Sequence, residues 1–247
     1  MKLAVFGLWH LGSVTAACTA AAGISTIAID LDPERIARLG EGEPPLYEPG
    51  LAGLIRSGLA SGALAFSSDV SAVSNADIAW ICHDTPVDEE DRADVAAVIR
   101  QVELLFPHLK EGAVVLVSAQ LPVGSVAALE KSFASHAKGR TVSFACSPEN
   151  LRLGKAIEAF QSPGRIIVGV RDERARTILD LLLRKFCDNV IWMSVESAEM
   201  VKHGLNSFLA MSVTFANELA TLCEQVGADA AEVEKGLKSD PRIGSGA

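Results

Sequence analysis

The chain has 247 residues, a formal charge of −9 and a hydrophobic fraction of 49%. Its length supports a full core and more than one structural unit. The acidic balance excludes nucleic acid and anionic membrane surfaces as default partners. Five cysteines (Cys18, Cys82, Cys146, Cys187 and Cys223) lie far apart, odd in number and without CxxC spacing. They read as buried thiols in a reducing compartment, and no metal site is expected.

In chain order, residues 2–6 read as an apolar strand that runs into Gly7-Leu8-Trp9-His10-Leu11-Gly12. The alanine-rich run that follows Lys2 resembles a leader peptide, but Trp9-His10 interrupts it and a second strand follows at 25–30. Strand, glycine turn, helix and strand describe this stretch better. No apolar run approaches the roughly 20 residues of a membrane span, so a cytoplasmic protein is expected. A loop rich in turn formers, residues 42–50, separates the second strand from the next helix. Further strands are predicted at 77–82, 113–117, 142–146, 165–170 and 189–193, separated by helical patterns such as 93–109 and 172–186. Strands that are apolar throughout and alternate with helices indicate a parallel sheet covered on both faces. From 195 to 226 the strand signal gives way to one long helix, with Phe208, Ala210, Met211, Phe215, Leu219 and Leu222 on its apolar faces. A helix of that size spans about 45 Å, more than the first domain covers, and implies packing against a second domain or another subunit. An α/β fold is expected: a Rossmann-like, doubly wound, mostly parallel sheet over residues 1–193. The long helix then begins a helical dimerisation domain over 194–247.

The glycine turn matches the first and third positions of G-x-G-x-x-G at Gly7 and Gly12, with Trp9 in place of the middle glycine. The middle glycine admits the pyrophosphate closely, so an indole there crowds the phosphate unless it swings outward. Asp30 stands about twenty residues on, where a carboxylate accepts from adenosine ribose hydroxyls and repels a 2′-phosphate. This favours NAD over NADP, with Arg35 able to modify the preference. Asp84-Thr85-Pro86 follows a strand and reads either as a hydroxyl for the cofactor or as a turn. Glu149, after Ser147-Pro148, reads either as a group that orients water or pairs with Lys202, or as a helix start. Lys202 and Asn206 are four residues apart in a helical pattern, so both emerge on one face. An ammonium beside a carboxamide suits alcohol oxidation, although a solvated lysine and a core asparagine share the same spacing.

These residues, taken with several others in order, give a chain that resembles the UDP-glucose/GDP-mannose dehydrogenase family. The others include Leu46-Tyr47-Glu48-Pro49-Gly50-Leu51, Thr85-Pro86 with Asp94, Leu121-Pro122-Val123-Gly124-Ser125 and Pro148-Glu149-Asn150-Leu151-Arg152-Leu153-Gly154. Pro163-Gly164-Arg165, Ala198-Glu199, Asn217-Glu218-Leu219-Ala220 and Asp240-Pro241-Arg242-Ile243-Gly244 continue the series. The resemblance implies a two-step oxidation of a sugar alcohol to a carboxylate with NAD, on a nucleotide sugar expected to be a UDP-sugar. Gly7, Leu11, Gly12, Asp30, Arg35 and Thr85 would hold the cofactor. Glu149, Asn150, Leu151 and Arg152 would line the sugar site, Lys202 and Asn206 would stabilise the alkoxide-like oxygen, and Glu149 would handle water. The long helix would make a homodimer.

The chain departs from the family pattern at Trp9, His10, Ala119-Gln120, Asn150 and Leu153. The family's nucleophilic cysteine lies in a glycine-rich loop beyond Arg242-Ile243-Gly244, and none of the five cysteines here occupies it. The expectation is therefore a truncated or incomplete form without the cysteine nucleophile or the UDP-binding domain. Two alternatives stand beside it: a catalytically inactive, dinucleotide-binding and dimerising protein, and a β-hydroxyacid dehydrogenase relative.

Overall fold

The computed structural model describes residues 1–90, 92–137, 139–149 and 151–243. The chain divides into two units, Met1–Met200 and Val201–Ala247. The first holds an eight-stranded sheet: β1 (Lys2–Phe6), β2 (Ser25–Ile29), β3 (Leu64–Ser67), β4 (Ile78–Ile81), β5 (Val114–Val117), β6 (Ser143–Cys146), β7 (Ile166–Gly169) and β8 (Val190–Met193). Their spatial order is β3-β2-β1-β4-β5-β6-β7-β8. Pairing is parallel from β3 through β6, antiparallel between β6 and β7 where Cys146 faces Gly169, and parallel again between β7 and β8. The mostly parallel, doubly wound sheet expected from the sequence is what the chain forms. Chain order reverses between β1 and β4, and in such sheets the crevice beyond the carboxyl ends of those two strands is where ligands bind.

Residues Leu3 to Phe6 of β1 and all of β5 are at most 1% exposed, because helices cover both faces. The helices of this unit are α1 (His10–Ala21), α2 (Pro33–Gly40), α3 (Leu51–Ser61), α4 (Val95–Glu103), α5 (Ser125–His136), α6 (Ala156–Gln161) and α7 (Glu173–Leu183). Helix α1 is buried without a break from Leu11 to Ala20. Its Ala, Gly, Ser and Thr side chains let neighbouring elements approach closely. Thr19 satisfies its hydroxyl inside the helix by donating to the Thr15 carbonyl (2.7 Å). All five cysteines are free and buried, as expected.

Three sequence expectations need correction. Strand β3 was not anticipated: it is a four-residue edge strand, partly exposed and too short for a periodic signal. Helix α2 stands between the second strand and the 42–50 loop. Asp32 starts it by accepting from the amides of Glu34 and Arg35, with Pro33 in the first turn. The helix expected over 93–109 stops at Glu103, and a 3-10 turn follows at Phe106–His108, where Pro107 cannot donate a helical hydrogen bond.

Helix α8 (Val195–Val226) runs over the predicted 195–226 span. Its first turns lie in the first unit, where Gly169 makes room for them. A Cβ on Gly169 would stand 2.6 Å from Val195 Cα and 2.8 Å from Ala198 Cβ. Glu199, 5% exposed, accepts from the amides of Gly124 (2.7 Å) and Val126 (3.0 Å), and so anchors α8 to the start of α5. The second unit contains the remainder of α8 and a shorter helix, α9 (Ala230–Lys238), capped by Asp229. Among the described residues, no helix is long and apolar enough to cross a membrane.

Candidate cofactor and active site

The turn after β1 is built around glycine. Gly7 has a φ of +92°, and a Cβ there would lie 2.6 Å from His83 Nδ1. At Gly12, inside the first turn of α1, a Cβ would meet the Gly7 carbonyl oxygen at 1.8 Å. At Gly12 a larger residue would have to move backbone, and at Gly7 it would meet the buried His83 ring in a left-handed conformation. Leu11 packs into the core at 8% exposure. The turn therefore brings its amides and the amino end of α1 to the point where the strand order reverses, an arrangement that suits a phosphate.

Trp9 has a φ of −80°, outside the left-handed region that favours glycine. The indole is 42% exposed and lies against the Arg35 guanidinium, 5.3 Å from ring centroid to Cζ. Arg35 in turn is bonded to Asp30, at 2.9 Å to each carboxylate oxygen. Asp30 is nearly buried at the end of β2 and also accepts from the Leu8 amide (2.6 Å) and the Asp32 amide (3.0 Å). Gly7, Gly12, Asp30 and Arg35 are thus brought together as one group, with Leu8 as the link between turn and carboxylate.

His83, directly after β4, was missed in the sequence. Its imidazole lies under Gly7 and edge-on to Phe6 (4.5 Å between centroids). Its Nε2 is buried and has no hydrogen-bond partner among the described residues. Burial pushes its pKa down to about 4, which outweighs the attraction of Asp30. An orphaned neutral imidazole, glycines that admit no Cβ, and a carboxylate at the second strand together fit a dinucleotide at this edge.

Thr85 donates its hydroxyl to the Gln120 carbonyl (2.6 Å) and so ties the loops after β4 and β5 together. Behind it a buried relay crosses the sheet: Trp80 Nε1 donates to Ser118 Oγ (2.8 Å), and Ser118 Oγ to the Ser147 carbonyl (2.6 Å). Ser147 Oγ donates in turn to the Ile167 carbonyl (2.9 Å). This relay fixes the loop that carries Glu149. Glu149 does not start a helix; its Oε2 accepts from the Leu151 amide at 2.6 Å. It stands near Asp84, whose carboxyl is raised by burial and by the like charge of Glu149. Leu151 packs against the core, Arg152 is exposed, and Asn150 lies outside the described residues. Lys202 and Asn206 stand one turn apart on α8, within the second unit.

Glu48 organises the floor of this edge. Its side chain is 1% exposed and accepts from His10 Nε2 (3.0 Å) and from the amides of Gly154 (2.8 Å) and Ala156 (2.9 Å). Burial raises its pKa, but the His10 and backbone bonds outweigh burial and hold it below the usual value. A pocket of about 380 Å³ opens beside it, lined by Pro49, Lys155, Ile157 and Glu158 among others. Among the described residues, no group of three or more His, Cys, Asp or Glu is placed to hold a metal ion.

Comparison with known proteins gives this geometry its context. The sequence model of the UDP-glucose/GDP-mannose dehydrogenase family, NAD binding domain, matches residues 1–187, and that of the family's central domain matches 196–247. The chain belongs to this family. UDP-glucose 6-dehydrogenase of Pseudomonas aeruginosa is 35% identical over 99% of this chain and 56% of its own length. A UDP-glucose dehydrogenase structure from the hyperthermophilic archaeon Pyrobaculum islandicum superposes with a TM-score of 0.91 at 32% identity, covering 98% of this chain and 57% of that one. A ternary complex of GDP-mannose dehydrogenase from Pseudomonas aeruginosa gives 0.88 at 29% identity, covering 97% and 57%. The chain thus spans a little over half the length of these relatives. It carries the NAD-binding domain of a nucleotide-sugar dehydrogenase family, and NAD is the cofactor of that domain. The family match takes the place of the β-hydroxyacid dehydrogenase alternative.

Proposed function

We propose that this chain supplies the NAD-binding and hydride-transfer part of an enzyme that oxidises the C6 (or equivalent) alcohol of a nucleotide sugar, a UDP-sugar in the first instance, to a carboxylate, without itself carrying the cysteine nucleophile. The observation that best supports this reading is the glycine turn joined to Asp30 through the Leu8 amide at the β1/β4 switch point. NAD, when bound, supplies the hydride acceptor for each of the two oxidations. Gly7, Leu11, Gly12 and the start of α1 receive its pyrophosphate, Asp30 and Arg35 its adenosine ribose, and Thr85 the cofactor further along the edge. Lys202 Nζ and the Asn206 carboxamide hold the substrate oxygen and stabilise the negative charge that grows on it as the hydride departs. Glu149 handles the water of the hydrolytic step that releases the carboxylate. Asn150, Leu151 and Arg152 line the sugar.

The protein works as a cytoplasmic homodimer joined through α8. Phe208, Phe215 and Leu222 recur at sevenfold spacing on that helix and, with Met211, are all more than half exposed. Such a seam suits a partner helix.

The test is to incubate the protein with NAD and either UDP-glucose or GDP-mannose, follow reduced nicotinamide, and identify the sugar product by mass. Reduction dependent on UDP-glucose is expected, with Lys202→Ala slower by roughly 10²-fold or more. NAD binding without any sugar-dependent reduction would leave the inactive, dinucleotide-binding reading, for which Trp9 and Leu153 speak.

A further inference from the structure

We propose that His83 is a cofactor-binding residue: its imidazole, as the neutral Nδ1–H tautomer, donates a hydrogen bond to a phosphate oxygen of the bound dinucleotide. The proposal rests on the reading of the glycine turn as the seat of the pyrophosphate.

Topology brings the ring to that seat. The Cys82 amide still pairs with the Phe6 carbonyl (2.8 Å), so His83 and Gly7 are the next residues beyond the carboxyl ends of β4 and β1, at the switch point. The ring stands edge-on to Phe6 at 4.5 Å between centroids, and Nδ1 lies 2.6 Å from where a Cβ on Gly7 would be. Asp30 and Arg35, at the end of the neighbouring strand and in α2, are near enough to act on the imidazole electrostatically.

The surroundings decide which nitrogen carries the proton. Burial holds the ring neutral near pH 7, with its pKa pushed down to about 4. A neutral imidazole has one donor and one acceptor. Nε2 is buried without a hydrogen-bond partner among the described residues. A proton there would be an N–H sealed away from every acceptor, and orphaned buried donors are rarer than orphaned acceptors. The proton therefore stands on Nδ1. That nitrogen makes no hydrogen bond to a described residue either, yet it lies beside the turn, where a ligand supplies what the protein does not. Phosphate oxygens accept and never donate, and an N–H bonded to one gains from its charge.

The experiment joins long-range nitrogen–proton NMR correlation of the imidazoles to calorimetric titrations of NAD and of ADP. It uses the protein, His83→Phe and His83→Asn, with thermal melts to confirm that each is folded. In the free protein the His83 proton is expected on Nδ1, and NAD is expected to shift that nitrogen more than Nε2. A proton on Nε2 would overturn the proposal without recourse to any variant. His83→Phe keeps a ring against Phe6 but removes both nitrogens, and is expected to raise Kd for NAD and ADP alike by about tenfold. His83→Asn puts an amide N–H where Nδ1–H stands, and is expected to stay within about threefold of the parent protein. An unchanged Kd in His83→Phe would overturn the proposal. So would a His83→Asn variant as weak as His83→Phe, or a loss seen with NAD and not with ADP. Absence of saturable binding of either ligand to the parent protein would overturn it together with the reading of the turn, and is distinct from those results.

Discussion

His83 shows how much of the cofactor edge depends on single residues whose surroundings the sequence does not display. Its Nδ1 fills the space that Gly7 leaves, and its buried Nε2 has no partner among the described residues. Burial lowers the folded-state pKa to about 4, against about 6.5 for a free imidazole. The unfolded chain therefore binds more protons across that interval. The stability tied to neutral His83 is complete above about pH 6.5 and is lost as the pH falls toward 4. An NMR titration of the imidazole should give a midpoint near 4, and a midpoint near 6.5 would contradict the buried, neutral placement. The sequence singled out the glycine turn, Asp30, Thr85 and Glu149 because strand ends and glycine spacing mark such positions. His83 was not singled out, and Glu48 and Glu199 stood there only within motif runs without a role, because their partners lie far away along the chain: Glu48 bonds to Gly154 and Ala156, and Glu199 to Gly124 and Val126. Periodicity carries no information about such contacts.

At the scale of elements, the strongly apolar strands and α8 followed directly from pattern, since burial on both faces leaves continuous apolar runs and a long helix repeats its apolar positions. Strand β3 escaped because four edge residues carry too little pattern. The early end of α4 was foreshadowed by Pro107, which the apolar periodicity of 93–109 masked. The seating of α8 rests on Gly169 and Glu199 together. Glu199→Ala leaves the amides of Gly124 and Val126 without their charged acceptor, and should cost about 2–3 kcal/mol in denaturant unfolding. Glu199→Gln, which keeps one carbonyl acceptor, should cost less. Equal stability of Glu199→Ala and the parent protein would show that the junction between α8 and α5 is held by packing alone.

Across the molecule, the sheet order and the family match converge on one edge. Chain reversal between β1 and β4 creates the crevice, the glycine turn lies at it, and Asp30 and Glu48 are buried carboxylates bonded to the turn and to His10 at the start of α1. Helix α8 continues from that unit into the second, carrying Lys202 and Asn206 and, further along, an exposed apolar row. The sequence conveyed this plan because ordered motifs constrain topology. Trp9 was visible there as a departure, but its contact with Arg35 emerges only from the fold.

The central claim is that Asp30 anchors NAD at this edge, and calorimetric titration of NAD into the protein and into Asp30→Ala tests it most directly. Removing a carboxylate that accepts from ribose hydroxyls should weaken single-site NAD binding by about tenfold to a hundredfold, with the fold retained. NAD binding of equal strength in Asp30→Ala would contradict the account.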